Sequence, residues 1–226
     1  MGKQRFSSSK YNVTLFSREK VTIDVTNSIS AGLAANRGLI DTIIPWMQKC
    51  GYTRVLDYGA GALRHTIPFL EAGLQVFSVE FESAYSRPKA KIARDKANHF
   101  GNFFRILNPS DFLNSKIVYD VAILTYVLQV MPIKLERDLV LEEIATRFDP
   151  EGPRQLFYAS RYGEALSLPE STRYNDGWVR GRTEKGYSFY TEWKSSETDD
   201  IFLKFGYERI GKYPRASQSF VYKHRS

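Results

Sequence analysis

The stretch VLDYGAGALRHT, residues 55–66, decides the fold of this chain. An apolar run reaches Asp57, two glycines follow at Gly59 and Gly61, and a helical pattern continues from there. Glycine lets a backbone approach a ligand closely, and a helix that starts after such a loop points its free N–H groups at the same place. The pattern predicts a ligand site at the end of a sheet strand, although a G-x-G loop alone is also typical of a tight turn.

A second apolar run, residues 74–80, ends in an acidic side chain, Glu80. A carboxylate at the end of the second strand of such a sheet can accept hydrogen bonds from both hydroxyls of a ribose. The alternative is an ordinary acid at a strand end. The glycine loop before it favours the ribose interpretation.

Strand-like and helical patterns alternate along most of the chain. Because helices between strands require parallel crossovers, we predict a three-layer α/β/α sandwich around a seven-stranded, mostly parallel sheet. The last two strand-like runs have no helix between them, so they should close the sheet as an antiparallel pair. The predicted strands are 53–59, 74–80, 102–107, part of 117–130, 155–161, 207–213 and 217–224, and the predicted helices are 27–50, 63–72, 85–100, 132–148 and 195–205.

Two segments fall outside this alternation. The first residues contain two short alternating runs, 11–15 and 21–25, which could be edge strands or an ordered arm. We divide the chain into an N-terminal arm, 1–26, and one domain, 27–226, with a polar and aromatic insertion on the substrate side at about 162–190.

Composition excludes several classes of protein. The 226 residues are 42% hydrophobic and 25% charged, which is typical of one globular domain. A single cysteine excludes a disulfide framework, and the three histidines are too far apart in sequence to suggest a metal site. No apolar run approaches the roughly 18 residues of a membrane span, and the N-terminus lacks the apolar core of a secretory signal. We therefore expect a cytoplasmic protein.

The net charge of +7 is concentrated in three segments. Residues 1–20, 84–100 and 204–226 carry +4, +4 and +5, so the rest of the chain carries −6. A basic periphery around an acidic interior would attract a polyanion and accept a cationic ligand inside. The alternative is that these segments are solvated faces that keep the protein in solution.

Four motifs in order make the chain resemble the class I S-adenosylmethionine-dependent methyltransferases, over roughly residues 50–160. The first motif of that family, acid-x-G-x-G-x-G, is matched by Asp57, Gly59 and Gly61, with Leu63 in place of the third glycine. The second, a ribose-binding acid, is matched by Glu80. A third and a fourth motif lie further along the chain.

The third motif, an acid after strand three that contacts the adenine amino group, is matched by Asp111, and Phe112 beside it could pack on the adenine ring. The fourth resembles YDVAILTYVLQVM, which would bring Thr125 and Tyr126 towards the methionine moiety and the substrate. The resemblance implies S-adenosylmethionine as cofactor. A dinucleotide-binding protein would instead carry glycine where this chain has Arg64.

Catalytic candidates are fewer. Methyl transfer from a sulfonium mainly needs alignment, and a general base only if the acceptor must lose a proton. Tyr126 and His65 are the candidate catalytic residues, and a packing role is the alternative for each. Arg64 is either a partner of the cofactor carboxylate or a solvated residue of the first helical turn.

The methyl acceptor is not specified by a motif. After Leu124 the chain lacks the Pro-Pro motif of amino-methylating nucleic-acid enzymes, and it has no Pro-Cys pair. The segment TYVLQVMP, residues 125–132, instead resembles small-molecule methyltransferases of the superfamily, so the first hypothesis is a small-molecule acceptor. The insertion interleaves arginines with aromatic side chains between residues 173 and 193, which suits a single-stranded nucleic acid or a nucleotide-like substrate, so RNA or DNA forms the second hypothesis. The alternative for the insertion is a substrate-covering lid that packs its own aromatic side chains. A third is a cofactor-binding subunit without catalysis. The oligomeric state remains open.

Overall fold

Twelve strands and seven α-helices make up the described part of this computed structural model, which covers residues 8–28, 34–162, 171–182, 186–214 and 218–225. In chain order they are β1 (Lys10–Thr14), β2 (Lys20–Asp24), α1 (Arg37–Cys50), β3 (Arg54–Tyr58), α2 (Thr66–Glu71), β4 (Gln75–Val79), α3 (Glu82–Tyr85), α4 (Pro88–Asn98), β5 (Phe104–Leu107), α5 (Pro109–Asn114), β6 (Val121–Thr125), α6 (Lys134–Ala145), β7 (Gln155–Ser160), β8 (Ser171–Tyr174), β9 (Gly177–Arg182), β10 (Gly186–Tyr190), α7 (Ser195–Leu203), β11 (Tyr207–Lys212) and β12 (Gln218–His224).

Seven of these strands form the central sheet, in the spatial order β11-β12-β7-β6-β3-β4-β5. Strands β7, β6, β3, β4 and β5 run parallel, whereas β12 is antiparallel to both of its neighbours. The predicted seven-stranded, mostly parallel sheet with a closing antiparallel pair is confirmed.

The central sheet is buried on both faces. In β6, Val121 and Ile123 belong to a core shared with α1, α2 and α4, whereas Ala122 and Leu124 belong to a core shared with α5, α6 and α7. Alternate residues of a strand point to opposite faces, so a strand covered on both sides is apolar throughout. This arrangement is the three-layer α/β/α sandwich that the alternating sequence pattern predicts.

A second sheet of five strands has the order β1-β2-β10-β9-β8. Its pairs are antiparallel except that β10 runs parallel to β2, with Tyr187 opposite Ile23. It has a small core of its own, in which Ile23, Val179 and Phe189 are buried. The two N-terminal runs, 11–15 and 21–25, thus correspond to strands β1 and β2 in the described structure. They pair with each other, and β2 also pairs with β10 of the insertion.

The first long helix starts later than the sequence indicates. Asn27, where the predicted helix begins, lies in a short 3-10 turn, Val25–Ser28, and residues 29–33 lie outside the described ranges. Helix α1 begins at Arg37, where the side chain of Asn36 accepts a hydrogen bond from the first turn. Asparagine is a favoured residue at that position because it satisfies a backbone N–H that has no helical partner.

Two further helices differ from the predicted segments. The helix predicted over 85–100 begins at Pro88 as α4, and a separate short helix, α3, ends at Tyr85. Proline disfavours a helical residue before it, so a helix starts there instead of passing through. The segment predicted as 63–72 becomes helical only at Thr66, because Leu63 has a φ of 59°.

Arg137, on α6, connects the second sheet to the central domain. Its guanidinium donates a hydrogen bond to the carbonyl of Met131 (2.7 Å), forms an ion pair with Asp176 and lies 5.4 Å from the ring centre of Trp193. The Arg137 side chain is only 4% exposed. Asp176 lies in the turn between β8 and β9, so one buried side chain of the core holds the insertion.

Candidate functional site

The carboxyl ends of β3, β4 and β6 meet at one edge of the central sheet. The chain passes from β3 to β4 on one side, while β6 lies on the other side of β3, so the strand order reverses at this point. Ligands of open α/β sheets bind in the crevice that such a reversal leaves. The side chains at these strand ends, Asp57, Glu80 and Thr125, are all buried.

The loop after β3 contains three residues in the left-handed region. Gly59, Gly61 and Leu63 have φ values of 72°, 55° and 59°. A Cβ at Gly59 would lie 2.2 Å from Cγ2 of Val127, so no other residue fits there without movement. Leu63 occupies the position of the third glycine of the motif and also adopts a conformation typical of glycine. The backbone at Leu63 is therefore left-handed although leucine replaces the third glycine of the motif.

Glu80 faces this loop. Its Oε2 accepts a hydrogen bond from the backbone N–H of Gly61 and its Oε1 accepts one from Phe81, each at 2.8 Å. Burial raises the pKa of Glu80 to about 7, although the two hydrogen bonds act in the opposite direction. The Glu80 carboxylate therefore lies beside the glycine loop, whose backbone a ligand can approach closely, and it can accept hydrogen bonds from a polar ligand there.

Asp57 is engaged within the fold. Its Oδ2 accepts a hydrogen bond from Oγ1 of Thr66 (2.7 Å), and this hydroxyl lies 2.9 Å from Oγ of Ser78. Burial raises the pKa of Asp57 to about 6, while the bond from Thr66 and the charge of Arg64 lower it. Sequence reasoning missed Thr66 and Ser78. The available signal for Thr66 was a hydroxyl residue in the RHT segment after the loop, and for Ser78 a hydroxyl residue in the predicted strand 74–80.

The two residues predicted to contact adenine lie in different surroundings. Asp111, in the first turn of α5, is exposed and accepts a hydrogen bond from Nδ2 of Asn108 (2.7 Å). Phe112 is completely buried, with its ring 5.5 Å from that of Tyr58 and 4.8 Å from the guanidinium of Arg147. The expectation that Phe112 packs on adenine is therefore corrected: its ring faces the core and has no exposed side.

His65 lies beneath the glycine loop. It is 2% exposed, and its Nδ1 is 3.5 Å from Oγ1 of Thr125, while its Nε2 has no hydrogen-bond partner among the described residues. Burial, and secondarily the charge of Arg64, lower the pKa of His65 to about 3. The imidazole is neutral near pH 7, and such a weak base removes a proton poorly.

Tyr126 follows β6 and lines an open cleft. Its φ is 61°, and its backbone N–H donates to the carbonyl of Ala159 (2.8 Å), which fixes the strained conformation. The guanidinium carbons of Arg64 and Arg161 lie 5.7 Å and 5.4 Å from its ring centre. The cleft has a volume of about 330 Å³ and is lined by Ala34, Ala35, Asn36, Arg37, Arg64, Tyr126 and Arg161.

Sequence reasoning identified Tyr126 and Arg64 but missed Arg37 and Arg161. Arg161 directly follows β7, the neighbour of β6, so its position at the end of the predicted strand 155–161 was a usable signal. Nothing in the sequence indicates that Arg37 reaches the same cleft. Within the described ranges, no group of three or more His, Cys, Asp or Glu side chains could hold a metal ion, and no helix is long and apolar enough to cross a membrane.

The seven-stranded sheet between two layers of helices, with a crevice where the strand order reverses, is the fold of the class I methyltransferases. No protein-family model and no curated protein matches the sequence. Solved structures do match. The CcbJ methyltransferase from Streptomyces caelestis is 15% identical with a TM-score of 0.58, and the alignment covers 90% of this chain and 96% of that chain.

Two other similar structures have the same fold. An S-adenosylmethionine-dependent methyltransferase from Clostridium acetobutylicum is 10% identical with a TM-score of 0.63, covering 85% of this chain and 93% of that one. The magnesium protoporphyrin IX methyltransferase of Synechocystis, solved with bound SAH, is 19% identical with a TM-score of 0.54, covering 82% and 81%. At these identities the similarity establishes the fold.

Proposed function

We propose that this protein is an S-adenosylmethionine-dependent methyltransferase that acts on a small molecule. The observation that carries the proposal is Glu80, a buried carboxylate at the end of β4 that accepts a hydrogen bond from Gly61. The fold supports it, because similar structures include methyltransferases with bound SAM or SAH. A buried acid beside a close-approach loop suits a ligand that offers both hydroxyl groups and positive charge.

The residues of the crevice fit this cofactor. Glu80 would accept hydrogen bonds from the ribose diol, while Gly59 and Gly61 leave the backbone accessible. Asp57 and Thr125 are buried at the carboxyl ends of β3 and β6, and Asp111 remains the candidate for the adenine amino group since its side chain is exposed. When bound, the cofactor supplies a methyl group on a sulfonium, which departs as a neutral thioether once the methyl is transferred.

Tyr126 is proposed to orient the acceptor at the mouth of the crevice. Its hydroxyl-bearing ring lines the open cleft, and its backbone is fixed by the bond to Ala159. His65 is less suited to act as a base, because burial lowers its pKa to about 3. We assign it a positioning role: its Nδ1 is close to Thr125, at the end of the strand that leads to the site.

The proposal is tested with Glu80→Ala and the matched control Glu82→Ala, an exposed acid two residues away. Losing two charge-assisted hydrogen bonds to a diol should weaken SAH binding by at least about 30-fold, measured by calorimetry, while the control binds as the wild type. Normal binding by the folded Glu80 variant, judged by circular dichroism, would refute the site.

The acceptor class is tested separately, with methyl-labelled cofactor and a cell extract divided into metabolites, RNA, DNA and protein. We expect label in the metabolite fraction. Tight SAH binding without any labelled fraction would instead support a cofactor-binding subunit without catalysis.

A methyltransferase acting on RNA or DNA is the second candidate function. One observation favours it: on the second sheet, the guanidinium of Arg173 lies 4.6 Å from the ring centre of Trp178, an arrangement that suits stacking with a base. Label in the RNA or DNA fraction, together with salt-sensitive retention of the protein on heparin, would support this candidate over the first.

A further inference from the structure

The chain at the start of β1 crosses the crevice at the carboxyl ends of the central strands. Oγ of Ser9 lies 3.1 Å from Oγ of Ser83, on α3. Two residues later, the hydroxyl of Tyr11 donates a hydrogen bond to Oε2 of Glu136 (2.5 Å), on α6. Helix α3 follows β4 and α6 follows β6, and these two strands lie on either side of β3. Residues 9–11 therefore form a strap between the two sides of the crevice.

Tyr58, the last residue of β3, lies between the two ends of this strap. Burial, and then the charges of Glu80 and Glu136, raise the pKa of Tyr58, so its hydroxyl lies near both carboxylates. Burial, the hydrogen bond to Glu136 and, last, the nearby Tyr58 raise the pKa of Tyr11. Tyr58 and Glu80 are only 5% and 8% exposed, so the crevice is closed at this point. A cofactor that binds Glu80 needs a way in.

The strap belongs to the second sheet, which is attached firmly on the α6 side. The buried guanidinium of Arg137 forms its ion pair with Asp176 there. The backbone N–H of Thr191, the residue after β10, donates to the carbonyl of Gln129 (2.7 Å), in the segment between β6 and α6. Separating a buried charge from its partners is costly, so this side of the second sheet stays in place.

The attachment on the α3 side breaks more easily. Ser83 is exposed, so water can replace its hydrogen bond with Ser9. Close by, Nη2 of Arg87, the residue before α4, donates to Oγ1 of Thr26 (3.0 Å). The carbonyl of Ser9 accepts a hydrogen bond from the backbone N–H of Val25 (3.0 Å). Ser9 and Thr26 thus lie at one end of the β1–β2 hairpin and can leave α3 and α4 together.

We infer that the strap is a gate for the cofactor: residues 9–11 cover the crevice and separate from α3 each time the cofactor enters or leaves. The inference rests on the proposed function, since it takes the cofactor as the ligand of the crevice. Opening on the α3 side uncovers Glu80, which ends β4 just before that helix, while the α6 side acts as the hinge. The strap therefore controls the rate of cofactor exchange more than the affinity.

The first experiment joins the strap to α3 covalently. Ser9→Cys and Ser83→Cys are combined in a Cys50→Ser background, because Cys50 is the only cysteine of the sequence and is exposed. Tritiated SAH is bound first, the two thiols are then joined by oxidation or with dibromobimane, and excess unlabelled SAH is added. We expect the joined protein to release the label at least about tenfold more slowly than the reduced protein.

The controls for this experiment are the two single-cysteine variants in the same background. Each should release SAH at the same rate before and after treatment with either reagent. Reduction of the disulfide in the double variant should restore fast release, which separates the effect of the link from the effect of the substitutions.

The second experiment loosens the strap instead. Thr26→Val removes the hydroxyl that accepts from Arg87 and donates to Asp24. Thr22→Val is the matched control, since Thr22 is an exposed residue of β2 whose hydroxyl donates to Asn12 (2.8 Å). Thr26→Val should release SAH about three- to tenfold faster, and the control should behave as the wild type.

The affinity separates a gate from a binding contact. A looser gate speeds entry and exit alike, so the Kd of Thr26→Val for SAH, measured by calorimetry, should stay within about twofold of the wild type. Faster release with a proportional loss of affinity would show that the strap binds the cofactor and would overturn the inference.

Two other results would also overturn it. Release of SAH from the joined double variant at the rate of its reduced form would show that the strap does not need to open. Failure of both reagents to join the thiols would refute the contact between Ser9 and Ser83. A wild type that binds no SAH would instead refute the proposed function, and the yield of the link would still report on the position of the strap.

Discussion

Leu63 adopts a backbone conformation that glycine usually provides, and it is also fully buried in the core. These two facts act in opposite directions on stability. The left-handed conformation costs an ordinary residue about 1 kcal/mol, whereas burial of a leucine side chain contributes about 2–5 kcal/mol. The side chain therefore outweighs the strain, which explains how the motif tolerates the loss of its third glycine.

This balance predicts an unusual order of stability. Leu63→Ala loses the packing and keeps the strain, whereas Leu63→Gly loses the packing and relieves the strain. We expect both variants to be destabilised, with the glycine variant more stable than the alanine variant by about 1 kcal/mol in urea unfolding. At ordinary positions the order is the reverse, so an alanine variant of higher stability would contradict the conformation described for Leu63.

Glu80 makes cofactor affinity depend on pH. Its raised pKa, about 7, means that the carboxylate is protonated below that pH and ionised above it. Because the ionised form is the better acceptor for a diol, SAH affinity should fall by up to tenfold per unit as the pH decreases below about 7. Calorimetry between about pH 6 and pH 8 measures the slope, and Glu80→Gln should bind weakly with a much flatter profile. A flat wild-type profile would contradict the assignment of Glu80.

At the scale of elements, Arg137 joins helix α6 to the insertion through its ion pair with Asp176. Burial lowers its pKa, while the ion pair with Asp176 raises it. Because Asp176 is 43% exposed, its carboxylate can be hydrated after the arginine is removed, so most of the penalty would come from the carbonyl of Met131 and the packing on Trp193. The contact therefore stabilises the position of one element against another.

Arg137→Ala should destabilise the protein by about 2–3 kcal/mol and expose β8 and β9 to proteolysis before the central sheet. Lys134→Ala is the matched control on the same helix, since Lys134 is exposed and its ion pair with Asp138, four residues further along, contributes only about 0.3–0.5 kcal/mol. Limited proteolysis followed by mass spectrometry locates the first cleavages. Equal protection of the insertion in both variants would disprove the role of Arg137.

At the scale of the whole molecule, sequence and structure agree where the signal is local. The central sheet was predictable because buried parallel strands are continuous apolar runs separated by helices, and the glycine loop was predictable from its spacing. The convergence of Arg37 with Arg161 was not, since it depends on how distant elements pack. Phe112 was assigned to the adenine ring because it is next to Asp111 in sequence. Adjacent positions at a helix start point in different directions, so Asp111 is exposed whereas Phe112 is buried.

The second sheet was unpredictable for the same reason. Its strands are short and polar on one face, and the pairing of β2 with β10 joins residues near 23 and 187. Periodicity in either segment indicates a strand but carries no information about the partner.

The parallel pairing of Ile23 with Tyr187 also orders events during synthesis. Strands β1 and β2 leave the ribosome first, yet β10 emerges only after all the parallel strands of the central sheet have been made. Until β10 has been synthesised, the hairpin of β1 and β2 has no partner for the free edge of β2, and two strands alone are only marginally stable. The second sheet is therefore assembled from an early and a late part of the nascent chain, and closing so long a loop makes this a slow step.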